Sequence, residues 1–248
     1  MLFDETTNDI SIRTEDDLQE IVNHLRNFTF PEKTTSKIHE VFCAYIFIVG
    51  CYKMNRLQLP ISITCRESPD FEYYHKSANH KIGIEHTRAT QESFKIAESE
   101  FKKHPEGSLI ELCHYSPFEN IPKLESDKGI IHPNDDLKGV GWGDNQTEQE
   151  WAEIMLNAIR SKTGLLNKPH FEIRSKNVLF VEDDSPVDFV KDDEKAIPLL
   201  RHNYSQTCFK QRTFDSIHIL TNCVFIYDVF GECLRTSMKK MDMPNGSK

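Results

Sequence analysis

Apolar residues recur at Leu18, Ile21, Val22 and Leu25, the three-and-four spacing of one helical stripe. Thr14 ahead of Glu15, Asp16 and Asp17 marks the start of that helix. A threonine hydroxyl caps free amides there, and acids suit the positive end of the dipole. The stripe ends near "FTFPEK". From Ser36 the pattern changes: "KIHEVFCAYIFIVGCYKM" is apolar nearly all round after Glu40, as expected of a central, buried helix. "LPISITCRES" and "KIGIEHTRA" carry β-branched residues in alternation and predict two strands. A helix follows over 90–103 and stops at "HPEG".

Between 105 and 146 the regular periods fade. Pro117, Pro122, Pro133 and the glycines from Gly107 to Gly143 predict an irregular insertion, the kind of segment that faces partners. Thr147 is read as the cap of the next helix, whose inner face carries Trp151, Ile154, Met155, Ala158 and Ile159. "NVLFVED" predicts a strand, "DEKAIPLLRHN" a helix around Pro198, and "FDSIHILTNCVFIYDV" one or two strands. The order predicts an α/β fold with a mixed central sheet flanked by helices. It is read as one domain over 1–248, with an N-terminal helical extension over 1–34 and the insertion over 105–146.

Composition agrees with a folded chain. The 248 residues are 38% hydrophobic and 28% charged. The net charge of −9 argues against a general nucleic-acid coat but leaves room for positive charge confined to one cleft. Seven cysteines without a CxxC pair point to reduced, buried thiols and a reducing compartment, here the cytoplasm. The acidic opening "MLFDETTND" has no feature of a signal peptide, and "VFCAYIFIVGC" is too short to span a bilayer, so no membrane partner is expected.

Two acids carry the chemistry. Asp70 follows Pro69 at the end of the first predicted strand, and Glu85 stands alone between Ile84 and His86 in the second. If those strands pair, both carboxylates reach one end of the sheet. Two carboxylates so close do not both ionise without compensation. A divalent cation is the usual compensation, and all-oxygen ligands suit Mg²⁺ or Mn²⁺.

"SPDF…GIEHT" resembles the core of the PD-(D/E)xK, or restriction-endonuclease-like, nuclease superfamily. Asp70 matches its first acid and Glu85 its second; a buried helix bearing Glu40 precedes them and an amphipathic helix follows. The resemblance implies metal-dependent cleavage of phosphodiester bonds, of DNA before RNA. Asp70, Glu85, the His86 carbonyl and Glu40 would form the metal shell. Thr87 stands where the family carries its lysine. Stand-ins proposed for it are Arg88, Gln91 and Lys95, the last two sharing a helix face. Without that lysine, the rival reading is a degenerate nuclease fold that binds a protein partner through the 105–146 insertion.

Other patterns carry less. His75, His80 and His86 have no closed zinc spacing. "GVGWGD" lacks the lysine and preceding strand of a phosphate loop. Arg160, Lys162, Lys168, Arg174 and Lys176 cluster along the chain and are candidates to line a nucleic-acid cleft, or simply solvated charges.

Overall fold

Helix α1 (Glu15–Asn27) begins where its cap predicts. Thr14 Oγ1 accepts from the Asp17 amide at 3.2 Å while Asp17 Oδ2 accepts from the Thr14 amide at 3.0 Å, closing a capping box. Leu18, Ile21, Val22 and Leu25 form its buried face. The computed structural model describes residues 9–28, 36–75, 80–90, 109–110, 130–131, 146–185, 193–207, 212–221 and 224–238.

One strand precedes that helix. β1 (Asp9–Ile12) buries Ile10 and Ile12 and pairs antiparallel with β2 (Ile61–Cys65). The 1–34 region is thus more than a helical extension, because it supplies an edge to the sheet. Four residues are too short a run for alternation to stand out in sequence.

Helix α2 (Ser36–Lys53) is the centre of the core. Its Phe47 ring meets Phe71, Phe180 and Phe225 edge-on, with centroids 6.2, 5.4 and 5.9 Å apart. Gly50 permits this closeness, since a Cβ there would lie 2.5 Å from the Phe225 ring.

The other elements are β3 (Phe71–His75), β4 (His80–Ala89), β5 (Leu109–Ile110), β6 (Ile130–Ile131), α3 (Gln146–Leu166) and β7 (Lys176–Asp183), then α4 (Asp193–Gln206), β8 (Ser216–Thr221), β9 (Val224–Tyr227) and β10 (Leu234–Ser237). α3 starts at Gln146, one residue ahead of the expected Thr147 cap, and α4 keeps Pro198 in its interior. Eight strands form one mixed sheet in the order β1-β2-β3-β4-β7-β8-β9-β10. β1 to β4 are antiparallel neighbours, β7 and β8 are parallel, and β8 to β10 form an antiparallel meander. The Lys81 carbonyl accepts from Ser175 Oγ and the Ala89 carbonyl from the Asp184 amide, so β4 and β7 run the same way. The fold is therefore α/β with a mixed eight-stranded sheet and, among the described residues, four helices.

β3 is an addition to the sequence reading. It lies between β2 and β4, so those two strands do not pair with each other as supposed. The helix expected over 90–103 lies outside the described residues, as does most of the 105–146 segment. Its described part, β5 and β6, pairs as a separate two-stranded sheet and adds no strand to the large one.

By packing, the chain read as one domain falls into two compact units. One comprises Met1–Thr87, Ser161–Glu182 and Phe209–Lys248 and contains the α2-centred core. The other comprises Arg88–Arg160 and Asp183–Cys208. In it, Trp151 Nε1 donates to Asp183 Oδ2 at 2.7 Å, and Arg160 ties Glu153 to Thr207. No described helix is long and apolar enough to cross a membrane.

Candidate active site

The turn between β2 and β3 sets the first acid. The Arg66 amide donates to the Asp70 carbonyl at 2.8 Å, which closes the turn and presents Asp70 at the entry to β3. Asp70 therefore opens the middle strand of a three-strand meander; it does not end a strand paired directly with β4. Gly83 seats the turn against β4: a Cβ there would lie 2.9 Å from Pro69 Cγ and 3.0 Å from Arg174 Cγ.

Asp70 Oδ2 accepts from the His86 amide at 2.6 Å, so its carboxylate rests on the peptide that joins Glu85 to His86. Glu85 is only 5% exposed. Its Oε1 accepts from Lys162 Nζ at 2.6 Å, while its buried Oε2 has no hydrogen-bond partner. Burial and then the charge of Glu85 push the Asp70 carboxyl up to about 7, against the opposing pull of the His86 amide and Lys162. Glu40 joins the same field. Burial raises its carboxyl; Lys162 and His39 oppose the rise and Glu85 adds to it.

An open cleft of about 490 Å³ reaches Asp70 and Glu40. Glu40 and Asp70 line it together with Lys37, Cys65, Arg66 and Glu67. Acidic and basic side chains thus share one concavity.

Lys162 is the site residue that the sequence did not single out. It appeared there only as one of a basic cluster. It stands on α3, 77 residues beyond its partner Glu85, and no local period announces such a contact. Of the three stand-ins for the motif lysine, Arg88 lies at the surface, 3.7 Å from Asp184. Gln91 and Lys95 fall outside the described residues.

His86 points the other way, as strand alternation requires. Its ring is buried, and Nε2 has no hydrogen-bond partner. Nearby, His39 Nε2 donates to Glu182 Oε2 at 2.6 Å and the Cys43 thiol approaches the same oxygen at 3.8 Å. His86 Nε2 lies 3.4 Å from that oxygen. Burial would raise the Glu182 carboxyl, but its contacts with His39 and His86 bring it down to about 2. Burial also lowers the pKa of His86, which favours a neutral ring. His75 and His80 are backbone partners across β3 and β4.

No family model, curated protein or solved structure matches this chain. The functional reading therefore rests on the geometry and on the resemblance of "SPDF…GIEHT" alone.

Proposed function

We propose that this chain is a metal-dependent phosphodiesterase with a restriction-endonuclease-like core, acting on DNA before RNA. The observation that carries the reading is the Asp70–Glu85–Lys162 group. The Asp70 carboxylate bonds the amide of the peptide that follows Glu85, and a lysine reaches Glu85 itself from a neighbouring helix. The order of parts also supports it: a buried helix bearing Glu40 precedes the turn that carries Asp70 and the strand that carries Glu85.

The residues present fit a hard divalent cation. Glu85 Oε2 is a buried oxygen without a partner, and Asp70 is held partly protonated by its surroundings. Asp70 and Glu85, with the His86 carbonyl and Glu40, would hold Mg²⁺ or Mn²⁺. Such an ion, when bound, neutralises charge on a phosphodiester and makes water a better nucleophile. The protein's own groups do the positioning. The His86 amide fixes Asp70, and Lys162 fixes Glu85. The Lys162 ammonium then stands where an attacking water is oriented and developing negative charge is met, the role that Thr87 cannot fill. Lys37 and Arg66 draw the phosphate backbone into the cleft.

The test is cleavage of supercoiled plasmid, single-stranded DNA and RNA by the purified protein with Mg²⁺ or Mn²⁺. Glu85→Ala is expected to abolish cleavage. Lys162→Met is expected to lower it by roughly 10²–10³-fold, the range for losing one polar transition-state contact. An equal loss in Gln91→Ala, with Lys162→Met unaffected, would return the lysine role to the helix after β4. No cleavage by the parent protein of any substrate would favour the protein-binding rival.

A further inference from the structure

We infer that His39, Cys43, His86 and Glu182 form a structural zinc site, separate from the Asp70–Glu85 group and independent of the nuclease reading. Four donors come from three elements. His39 and Cys43 stand one turn apart on α2, so both project from one helix face. His86 comes from β4, on the strand face opposite Glu85, and Glu182 from β7. One donor atom from each lies within 4.8 Å of all the others. Zn–N bonds of about 2.0 Å and Zn–S bonds of about 2.3 Å place tetrahedral donors roughly 3.3–3.8 Å apart. The His86 and Cys43 contacts to Glu182, 3.4 and 3.8 Å, already have that spacing. The His39–Glu182 contact, at 2.6 Å, must open to admit an ion.

The independent sign of a ligand is His86. It is 8% exposed, and its Nε2 faces the cluster with no hydrogen-bond partner. A buried ring nitrogen left in that state loses its hydration without recompense unless something coordinates it.

The donor set selects the ion. Two imidazoles, a thiolate and one carboxylate oxygen suit Zn²⁺, whereas Mg²⁺ demands hard oxygens in an octahedron. Four protein ligands leave no open position, so the site is structural. Its place in the chain gives it a purpose. His39 precedes Glu40 and His86 follows Glu85. Zinc here would pin α2, β4 and β7 together and hold two acids of the neighbouring group in register.

The experiment uses the full chain. Purified protein is expected to carry about one equivalent of zinc by elemental analysis. After chelation, Co²⁺ is expected to restore strong tetrahedral d–d bands and a thiolate-to-cobalt charge-transfer band. Cys43→Ser, close in size to the parent, is expected to lose the charge-transfer band. It should also weaken Zn²⁺ binding by at least ~10²-fold, since even outer partners of a ligand cost up to that much. Glu85→Gln is expected to keep the parent spectrum, which separates this site from the acid pair. A parent protein without zinc whose Co²⁺ spectrum is weak and octahedral would overturn the inference, whether or not Cys43→Ser folds. A charge-transfer band that survives Cys43→Ser would do the same.

Discussion

Asp70 and Glu72 stand two residues apart at the entry to β3, and their carboxylates meet opposite surroundings. Glu72 is 4% exposed and has cations on every side. Lys81 Nζ donates to it at 2.9 Å, Arg174 Nε donates to its other oxygen, and Arg66 lies 3.6 Å away. Burial would raise the Glu72 carboxyl, yet the bonds from Lys81 and Arg174 and the nearby guanidinium charges hold it below its ordinary value. Asp70 has one backbone amide, a lysine already engaged by Glu85, and a second acid that adds to its burial. A buried carboxylate surrounded by cations is finished as a structural element. One left beside another acid is held towards its protonated form, which is the state the proposed cation would reverse.

The largest expected effect breaks this contrast at the level of chemistry. Asp70→Asn and Glu85→Gln should each lower phosphodiester cleavage by at least ~10³-fold. Glu72→Gln, assayed where it remains folded, should stay within roughly tenfold. Equal losses in all three variants would erase the distinction between the two acids.

Stability should show the same contrast with opposite sign. The native Asp70 carboxyl keeps its proton up to about 7 while the unfolded chain loses it near 3.8, so Asp70 weakens the fold as pH rises between those values. Without divalent metal, Asp70→Asn should gain on the parent across that window, by up to ~4 kcal/mol in urea unfolding. Mg²⁺ should narrow the gap at high pH. Glu72 runs the other way. Its stabilisation is present above the ordinary glutamate value and is lost as pH falls through its depressed native value.

Arg174→Ala should destabilise the protein by about 3 kcal/mol, the cost of stranding a buried partner charge. Glu72→Gln in the same chain should recover part of the loss, which a double-mutant cycle measures. The smallest effect is expected at Gly83. An alanine Cβ would crowd Pro69 and Arg174, so Gly83→Ala should cost roughly 1–2 kcal/mol and move the turn that presents Asp70.

What the sequence disclosed follows the range of the interactions. Helix α1 was legible because Thr14, Asp17 and the four buried aliphatics signal within one or two turns. α2 was legible from its unbroken apolar run, and β4 from Ile82 and Ile84 ahead of an acid out of place. β3 was not, because its run of five residues follows directly on the Pro69-Asp70 turn, and its buried Glu72 makes sense only beside Arg174, 102 residues away. Lys162 was hidden for the same reason. The His39–Cys43–His86–Glu182 group offered one local sign, the one-turn spacing of His39 and Cys43. Its carboxylate lies 143 residues beyond His39. Local periods announce elements, but the pairing of a buried charge depends on chain segments that no window covers together.

On the proposed function, a cation completes Asp70 and Glu85 as Lys81 and Arg174 complete Glu72. A Mn²⁺ titration followed by electron paramagnetic resonance near pH 7.5 tests it most directly. Saturable Mn²⁺ binding is expected for the parent protein and for Glu72→Gln, with that binding lost in both Asp70→Asn and Glu85→Gln. Mn²⁺ binding that is unchanged by removing either Asp70 or Glu85, or absent from the parent, would contradict it.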